Sequence, residues 1–115
     1  MTTSETRTIV VLPAYNEARS LPALLNECCR VFHESGMNSG ILLVNDGSTD
    51  DTLSVAGTRL GTMPLRIHDI QPNKGLANAI REGLAIAPGI VGRDGIVVLM
   101  DADNTAETCF DVTER

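Results

Sequence analysis

Two carboxylates one residue apart, Asp101 and Asp103, follow directly on the apolar run Ile96-Val97-Val98-Leu99-Met100. Carboxylates this close repel each other unless a cation or a shared proton relieves them. Mg²⁺ and Mn²⁺ suit such oxygen ligands, binding through one or two carboxylates together with phosphate oxygens. Acid also follows two earlier apolar runs: Glu17 comes after Ile9-Val10-Val11-Leu12-Pro13, and Asp46 after Ile41-Leu42-Leu43-Val44. Carboxylates accept hydrogen bonds from sugar hydroxyls and base N–H groups. Tyr15 adds a flat face on which a base could stack, an interaction of about 1–3 kcal/mol in single-strand binders. The implied ligand is a nucleotide whose diphosphate is neutralised by Mg²⁺ or Mn²⁺. Plainer alternatives stand beside each residue. Asp101 and Asp103 could form a solvated turn, Asp46 could help Gly47 reverse the chain, Glu17 and Ser20 could cap a helix, and Tyr15 could be a surface-packed aromatic.

Residues 1–7 read as a polar lead, and residues 8–115 as the domain. Short unbroken apolar runs read as strands buried on both faces of a parallel sheet. They predict strands over 8–13, 41–44 and 96–100, and the alternating Leu65–Ile70 reads as a half-exposed edge strand. Between them, Leu21, Leu24, Leu25, Cys28, Val31 and Phe32 recur at helical spacing, ending near Gly36. Leu53, Ala56 and Leu60 form the inward face of a thin second helix that Gly61 ends, and Ser48 with Asp51 resembles a capping box for it. Leu76, Ile80 and Leu84 mark a third helix beside a stripe of Gly75, Ala79 and Gly83, small enough for close approach of backbone or ligand, with Pro88 and Gly89 as its stop. A helical segment is expected from Thr105. The order is β-α-β-α-β-α-β, a doubly wound α/β unit with a mainly parallel sheet and helices on both faces. In such sheets ligands bind beyond the carboxyl ends of the strands, where all these acids fall.

The chain has 115 residues, 43% apolar and 21% charged, enough for one domain with an aliphatic core. A formal charge of −6 argues against a nucleic-acid partner, which needs a basic face. Cys28, Cys29 and Cys109 lack CxxC spacing and read as core residues in a reducing compartment. The first residues lack the apolar segment of a signal peptide, and no stretch approaches the roughly 20 apolar residues of a membrane span. These features predict a cytoplasmic chain. Asp50 and Asp51 read as charges complementing a helix N-terminus, and His33, His68, Lys74 and Arg81 as ordinary surface residues. The dinucleotide and P-loop glycine patterns are both missing after the first strand.

The segments Pro13-Ala14-Tyr15-Asn16-Glu17, Val44-Asn45-Asp46-Gly47-Ser48-Thr49-Asp50, Asn73-Lys74-Gly75 and Asp101-Ala102-Asp103 stand in the order seen in family-2 glycosyltransferases. The chain resembles the N-terminal, nucleotide-binding half of their GT-A domain from about residue 8 to 104. Its nearest likeness is the polyprenyl-phosphate (dolichol-phosphate) mannosyl or glucosyl transferase branch. By that resemblance Pro13, Tyr15 and Glu17 form the nucleoside pocket and Asp46 recognises the base. Asp101 and Asp103 are the D-x-D pair that holds the metal, with Asp101 near the ribose and the Ala102 backbone against the nucleotide. The activity it implies is metal-assisted, inverting transfer from a UDP- or GDP-sugar, with a polyprenyl phosphate or other glycan as acceptor in the full-length relative. Such an enzyme would act at the cytoplasmic membrane face through a further part or partner. Three departures are visible. Asn45 stands where the family often has an aspartate, Ala77 where a second glycine is common, and Thr105-Ala106-Glu107 lacks a histidine and proline common in that branch. The family's general base follows the D-x-D segment, so the expectation is a chain truncated after that segment, with no catalytic base of its own. A stand-alone nucleotide-sugar binding module and an inactive fragment are the alternatives.

Overall fold

Strand β1 (Thr8–Ala14) is buried at every position, as an unbroken run of β-branched and aliphatic residues requires. The computed structural model describes residues 6–36, 38–60 and 64–100 together with the backbone of 109–112. Strand β2 (Ser39–Asp46) is likewise buried throughout and pairs in parallel with β1. On the other side of β1 lies β4 (Ile96–Met100), also parallel, while β3 (Leu65–Ile70) pairs outside β2 as the expected edge strand. A short strand β5 (Cys109–Val112) runs antiparallel to β4, giving the order β3-β2-β1-β4-β5.

Side chains alternate across this sheet. Val10, Leu12 and Ala14 join Ile41 and Leu43 beneath helix α1 (Leu21–Ser35) and the short α2 (Thr52–Gly57). Ile9, Val11, Leu42 and Val44 face helix α3 (Leu76–Val91) on the opposite side. The α/β architecture with helices on both faces is therefore as expected. Helix α1 follows its predicted stripe through Leu21, Leu24, Leu25 and Cys28, with Phe32 partly buried, and ends at Gly36 in a left-handed conformation, but Val31 is exposed.

Four local expectations are overturned, each for a packing reason. In α3 the small stripe makes the close approach as expected, with Ala79 and Gly83 buried alongside Ala87 and Val91, but the leucine stripe does not fill the core: Leu84 packs only partly against it and Leu76 is 63% exposed. Small residues face the sheet because the helix lies close to it. A Cβ on Gly83 would stand 2.5 Å from Val11 Cγ1 and 3.1 Å from Val44 Cγ2. The same helix runs through Pro88 to Val91, where the Gly92 N–H donates to the Pro88 carbonyl at 2.9 Å. Proline there forfeits one hydrogen bond, and burial of Ala87 and Val91 against the sheet offsets it. In α2 Ala56 points inward as expected, but its companion is Thr52, one turn earlier, and Leu53 and Leu60 remain exposed. Gly61 lies outside the described residues. Finally, where a helix was expected from Thr105, residues 109–112 form β5; residues 105–108 lie outside the description. Strand pairing satisfies the backbone groups along the open side of β4, which a helix would leave unmet.

The tight α3–sheet contact predicts that Gly83→Ala destabilises the chain by about 1–3 kcal/mol despite alanine's better helix propensity, because stiff valines must give way. Gly57, at the end of α2 with open space around its Cβ position, is the control. Gly57→Ala should stabilise by about 0.4–1 kcal/mol. Urea unfolding of both variants measures the contrast.

Candidate functional site

Because β1 and β2 are parallel and in register, with Pro13 opposite Val44 and Ala14 opposite Asn45, Tyr15 and Asp46 leave the sheet side by side. Strand β4 ends at the same edge, since Leu99 pairs with Val11. A cleft of about 290 Å³ opens there, lined by Pro13, Ala14, Tyr15, Glu17, Asp46, Asn73, Leu76 and Ala79. Four residues singled out in the sequence, Pro13, Tyr15, Glu17 and Asp46, thus share one crevice. Asp101, Ala102 and Asp103 lie outside the described residues. Among the described residues no group of three His, Cys, Asp or Glu could hold a metal ion.

Asp46 is 3% exposed, and its carboxylate is met by hydrogen bonds rather than by water. The Lys74 N–H donates to Oδ1 at 2.9 Å, the Gly75 N–H to Oδ2 at 3.0 Å, and Asn73 Nδ2 to Oδ2 at 3.0 Å. Asn73 Nδ2 also reaches the Asp46 carbonyl at 2.8 Å. The acid at the end of β2 thereby holds the turn that opens α3 and brings Asn73 and Leu76 to the cleft. Gly47 makes this approach possible. It has φ +66°, and a Cβ there would lie 2.2 Å from the Asn73 nitrogen.

A second set of bonds fixes the wall carrying Tyr15 and Glu17. Asn16 sits between them at φ +55°, a left-handed conformation uncommon outside glycine but tolerated by asparagine. Its N–H donates to Ser48 Oγ at 2.9 Å, and its Oδ1 accepts from the N–H groups of Thr49 at 2.8 Å and Asp50 at 3.2 Å. The Glu17 N–H donates to Thr52 Oγ1 at 2.8 Å, and the Ala18 N–H to Asp50 Oδ2 at 3.2 Å. Asp50 Oδ1 in turn accepts from the Thr52 N–H and hydroxyl. Ser48 therefore does not enter a capping box with Asp51; Asp50 serves the start of α2 instead. Burial works against the Asp50 charge, but the bonds from the Thr52 hydroxyl and from the Thr52 and Ala18 N–H groups outweigh it and lower its pKa. Ser20 is bound to Glu17, its hydroxyl donating to Oε1 at 3.1 Å.

Sequence reasoning missed Asn73 and Leu76 as cleft residues. The Asn-Lys-Gly segment was visible, but its contact with Asp46 spans 27 positions. Leu76 carries the same signal as a core leucine. His68 is more than a free surface residue: its Nε2 lies 2.8 Å from Glu82 Oε1, and that contact, with the bond from Asn78, lowers the Glu82 pKa.

Residues 9–108 match the model of the family described as Glycosyl transferase family 2. The chain belongs to glycosyl transferase family 2. A dolichyl-phosphate beta-glucosyltransferase of Drosophila melanogaster is 33% identical over 88 residues, covering 70% of this chain and 27% of that protein. An undecaprenyl-phosphate 4-deoxy-4-formamido-L-arabinose transferase of Enterobacter sp. (strain 638) is 35% identical over 97 residues, covering 82% and 28% respectively. A solved mannosyltransferase of Pyrobaculum calidifontis, in complex with GDP-Man and Mn²⁺, superposes with a TM-score of 0.61 at 26% identity, over 86% of this chain and 28% of that one. This family-2 chain thus spans little more than a quarter of the length of each of these proteins, and its sheet has the GT-A glycosyltransferase fold.

Two outcomes test the polar framework. Asp46→Ala leaves the Lys74 and Gly75 N–H groups without their acceptor, and should cost about 2–5 kcal/mol in urea unfolding. For Asp50, a folded pKa below the unfolded value means a contribution present above the ordinary value of 3.8 and lost as pH falls through the lowered folded value. Asp50→Asn should therefore flatten the decline of melting temperature between about pH 5 and pH 2, measured by thermal scans against the unmodified chain.

Proposed function

We propose that the chain is the donor-binding half of a glycosyltransferase that moves a sugar from a UDP- or GDP-sugar to an acceptor with inversion. The observation that carries this reading is the cleft at the carboxyl edge of the sheet, where Pro13, Tyr15, Glu17 and Asp46 meet Asn73 and Leu76. Such an edge is the general ligand site of open α/β sheets. Tyr15, 46% exposed, and Leu76, 63% exposed, offer apolar surface that a nucleoside would cover. Asp46 contributes as the group that holds the far wall, and its Oδ1 keeps acceptor capacity beyond its bond to Lys74. Membership in the family and the GDP-Man bound to a structurally similar mannosyltransferase support the same reading.

Asp101 and Asp103 come directly after Met100, the last residue of β4 at this edge. Two carboxylates are a donor set for a hard divalent cation, so these residues would hold Mg²⁺ or Mn²⁺. The ion, when bound, supplies positive charge to the leaving diphosphate. Tyr15 and Leu76 would orient the base and exclude water around it, and Glu17 would accept from ribose hydroxyls. The reading assigns no general base to this chain. Two of the relatives are named for dolichyl and undecaprenyl phosphates, so a polyprenyl phosphate is the acceptor class proposed for the full-length protein.

The test is thermal stability with Mn²⁺ and UDP or GDP. A ligand at about 100 times its Kd adds about 2.7 kcal/mol, which in a domain this size raises the melting temperature by roughly 10 °C or more. Asp103→Ala should abolish the rise. No rise for the unmodified chain with either nucleotide would overturn the proposal.

A further inference from the structure

The cleft wall formed by Tyr15 and Glu17 is tied to a residue on the outer strand of the sheet. Asp69, on the edge strand β3, accepts on Oδ1 from Asn45 Nδ2 at 2.9 Å and from Gln71 Nε2 at 3.0 Å. Asn45 is fully buried at the end of β2, and its Oδ1 accepts from the Ser48 hydroxyl at 2.5 Å. Ser48 Oγ accepts the N–H of Asn16, the left-handed residue between Tyr15 and Glu17.

The direction of these bonds is forced by chemistry. An ionised carboxylate only accepts, so the Asn45 amide nitrogen must face Asp69 and its oxygen must face Ser48. A hydroxyl has one proton, and the Asn45 oxygen takes it. The lone pairs of Ser48 are then turned toward the N–H of Asn16. We infer that Asp69, Asn45 and Ser48 form a directional hydrogen-bond relay, and that Asn45 is a positioning residue for the Tyr15–Glu17 wall of the cleft. Its effect on donor binding rests on the function proposed above; its effect on Asn16 does not.

An aspartate at position 45 would put two acceptors face to face. Neither could donate, and the repulsion of like charges would push the group at 45 from its place, drawing Ser48, which still donates to it, away from the Asn16 N–H. Placing asparagine at 69 restores the pair with its polarity reversed: the amide at 69 donates, the exposed Gln71 amide turns its oxygen toward it, the carboxylate at 45 accepts from both sides, and Ser48 returns to its place. Asparagine at 45 is thus matched to aspartate at 69, and the two positions are interchangeable only together.

The experiment compares Asn45→Asp, Asp69→Asn and the double variant Asn45→Asp/Asp69→Asn. The first readout is hydrogen exchange at the Asn16 amide by NMR, which needs no ligand. Asn45→Asp should lose about tenfold of the Asn16 protection, as expected for one hydrogen bond, and the double variant should recover it. The second readout is the Kd for UDP or GDP with Mn²⁺, expected to weaken about tenfold in Asn45→Asp and to return in the double variant. Asp69→Asn, which lets the amide at 45 face either way, should fall between. Equal loss of protection in the single and double variants would overturn the relay, because a purely steric role of Asn45 would not be mended by a change at Asp69. Rescue of Asn16 with nucleotide affinity unmoved throughout would overturn its role in positioning the cleft. If the unmodified chain binds neither nucleotide, the functional proposal fails and the cleft role with it, while Asn16 protection alone decides the relay.

Discussion

A carboxylate cut off from water must have its charge met by donors, and Asp46 meets that demand with the turn that begins α3. The Lys74 and Gly75 N–H groups and the Asn73 amide converge on it. This closes the path from β2 through the edge strand and back to the sheet edge. Much else follows from that contact. Gly47 must lack a side chain because the Asn73 backbone lies against it, and Leu76 is carried to the cleft because it is the first residue after the held turn. Asp46 is therefore a structural keystone of the cleft.

The framework behind that edge is two thin hydrophobic layers on a sheet buried along all of β1 and β2. α3 approaches β1 and β2 through Ala79, Gly83 and Ala87, so the valines of the strands fill what leucines on the helix would otherwise fill. α1 packs the other face with larger side chains. Polar bonds, rather than apolar burial, then fix the loops: Asn16 reaches the 48–50 turn, Glu17 and Ala18 reach Thr52 and Asp50, and Asn73 to Gly75 reach Asp46. Division of labour between an aliphatic core and polar clamps explains how a chain so poor in aromatic residues can hold three loops in one geometry.

The strands and α1 were legible because their signal is local: continuous β-branched runs, and leucines three and four apart ended by a glycine. The convergence of Pro13, Tyr15, Glu17 and Asp46 was legible too, since parallel strands must deliver their carboxyl ends to one edge. The inward face of α3 was legible only in part: Ala79 and Gly83 marked a close approach, but nothing local showed that it would keep Leu76 out of the core. Helix periodicity places Leu76, Ile80 and Leu84 on one stripe, but the distance of closest approach, which favours Ala79 and Gly83, is a property of the partner strands. Pro88 misled for the same reason, because tertiary burial of Val91 outweighs the local penalty. Apart from Ser48, three residues from Asn45, the partners of Asp46, Asn45 and Asn16 lie 24 to 34 positions away in sequence and left no local trace. β5 arises from the open side of β4, a demand that the residues of 109–112 do not advertise themselves.

The central claim is that the edge between β1, β2 and the start of α3 receives a nucleoside diphosphate. Its most direct measurement is an NMR titration of the backbone amides with UDP or GDP in the presence of Mg²⁺. The account predicts shifts concentrated at Tyr15 to Glu17, Asp46 to Ser48 and Asn73 to Leu76. Shifts centred instead on the recess at the opposite end of the sheet, lined by Ile9, Gly40, Pro64 and Arg66, or no shifts with either nucleotide, would contradict it.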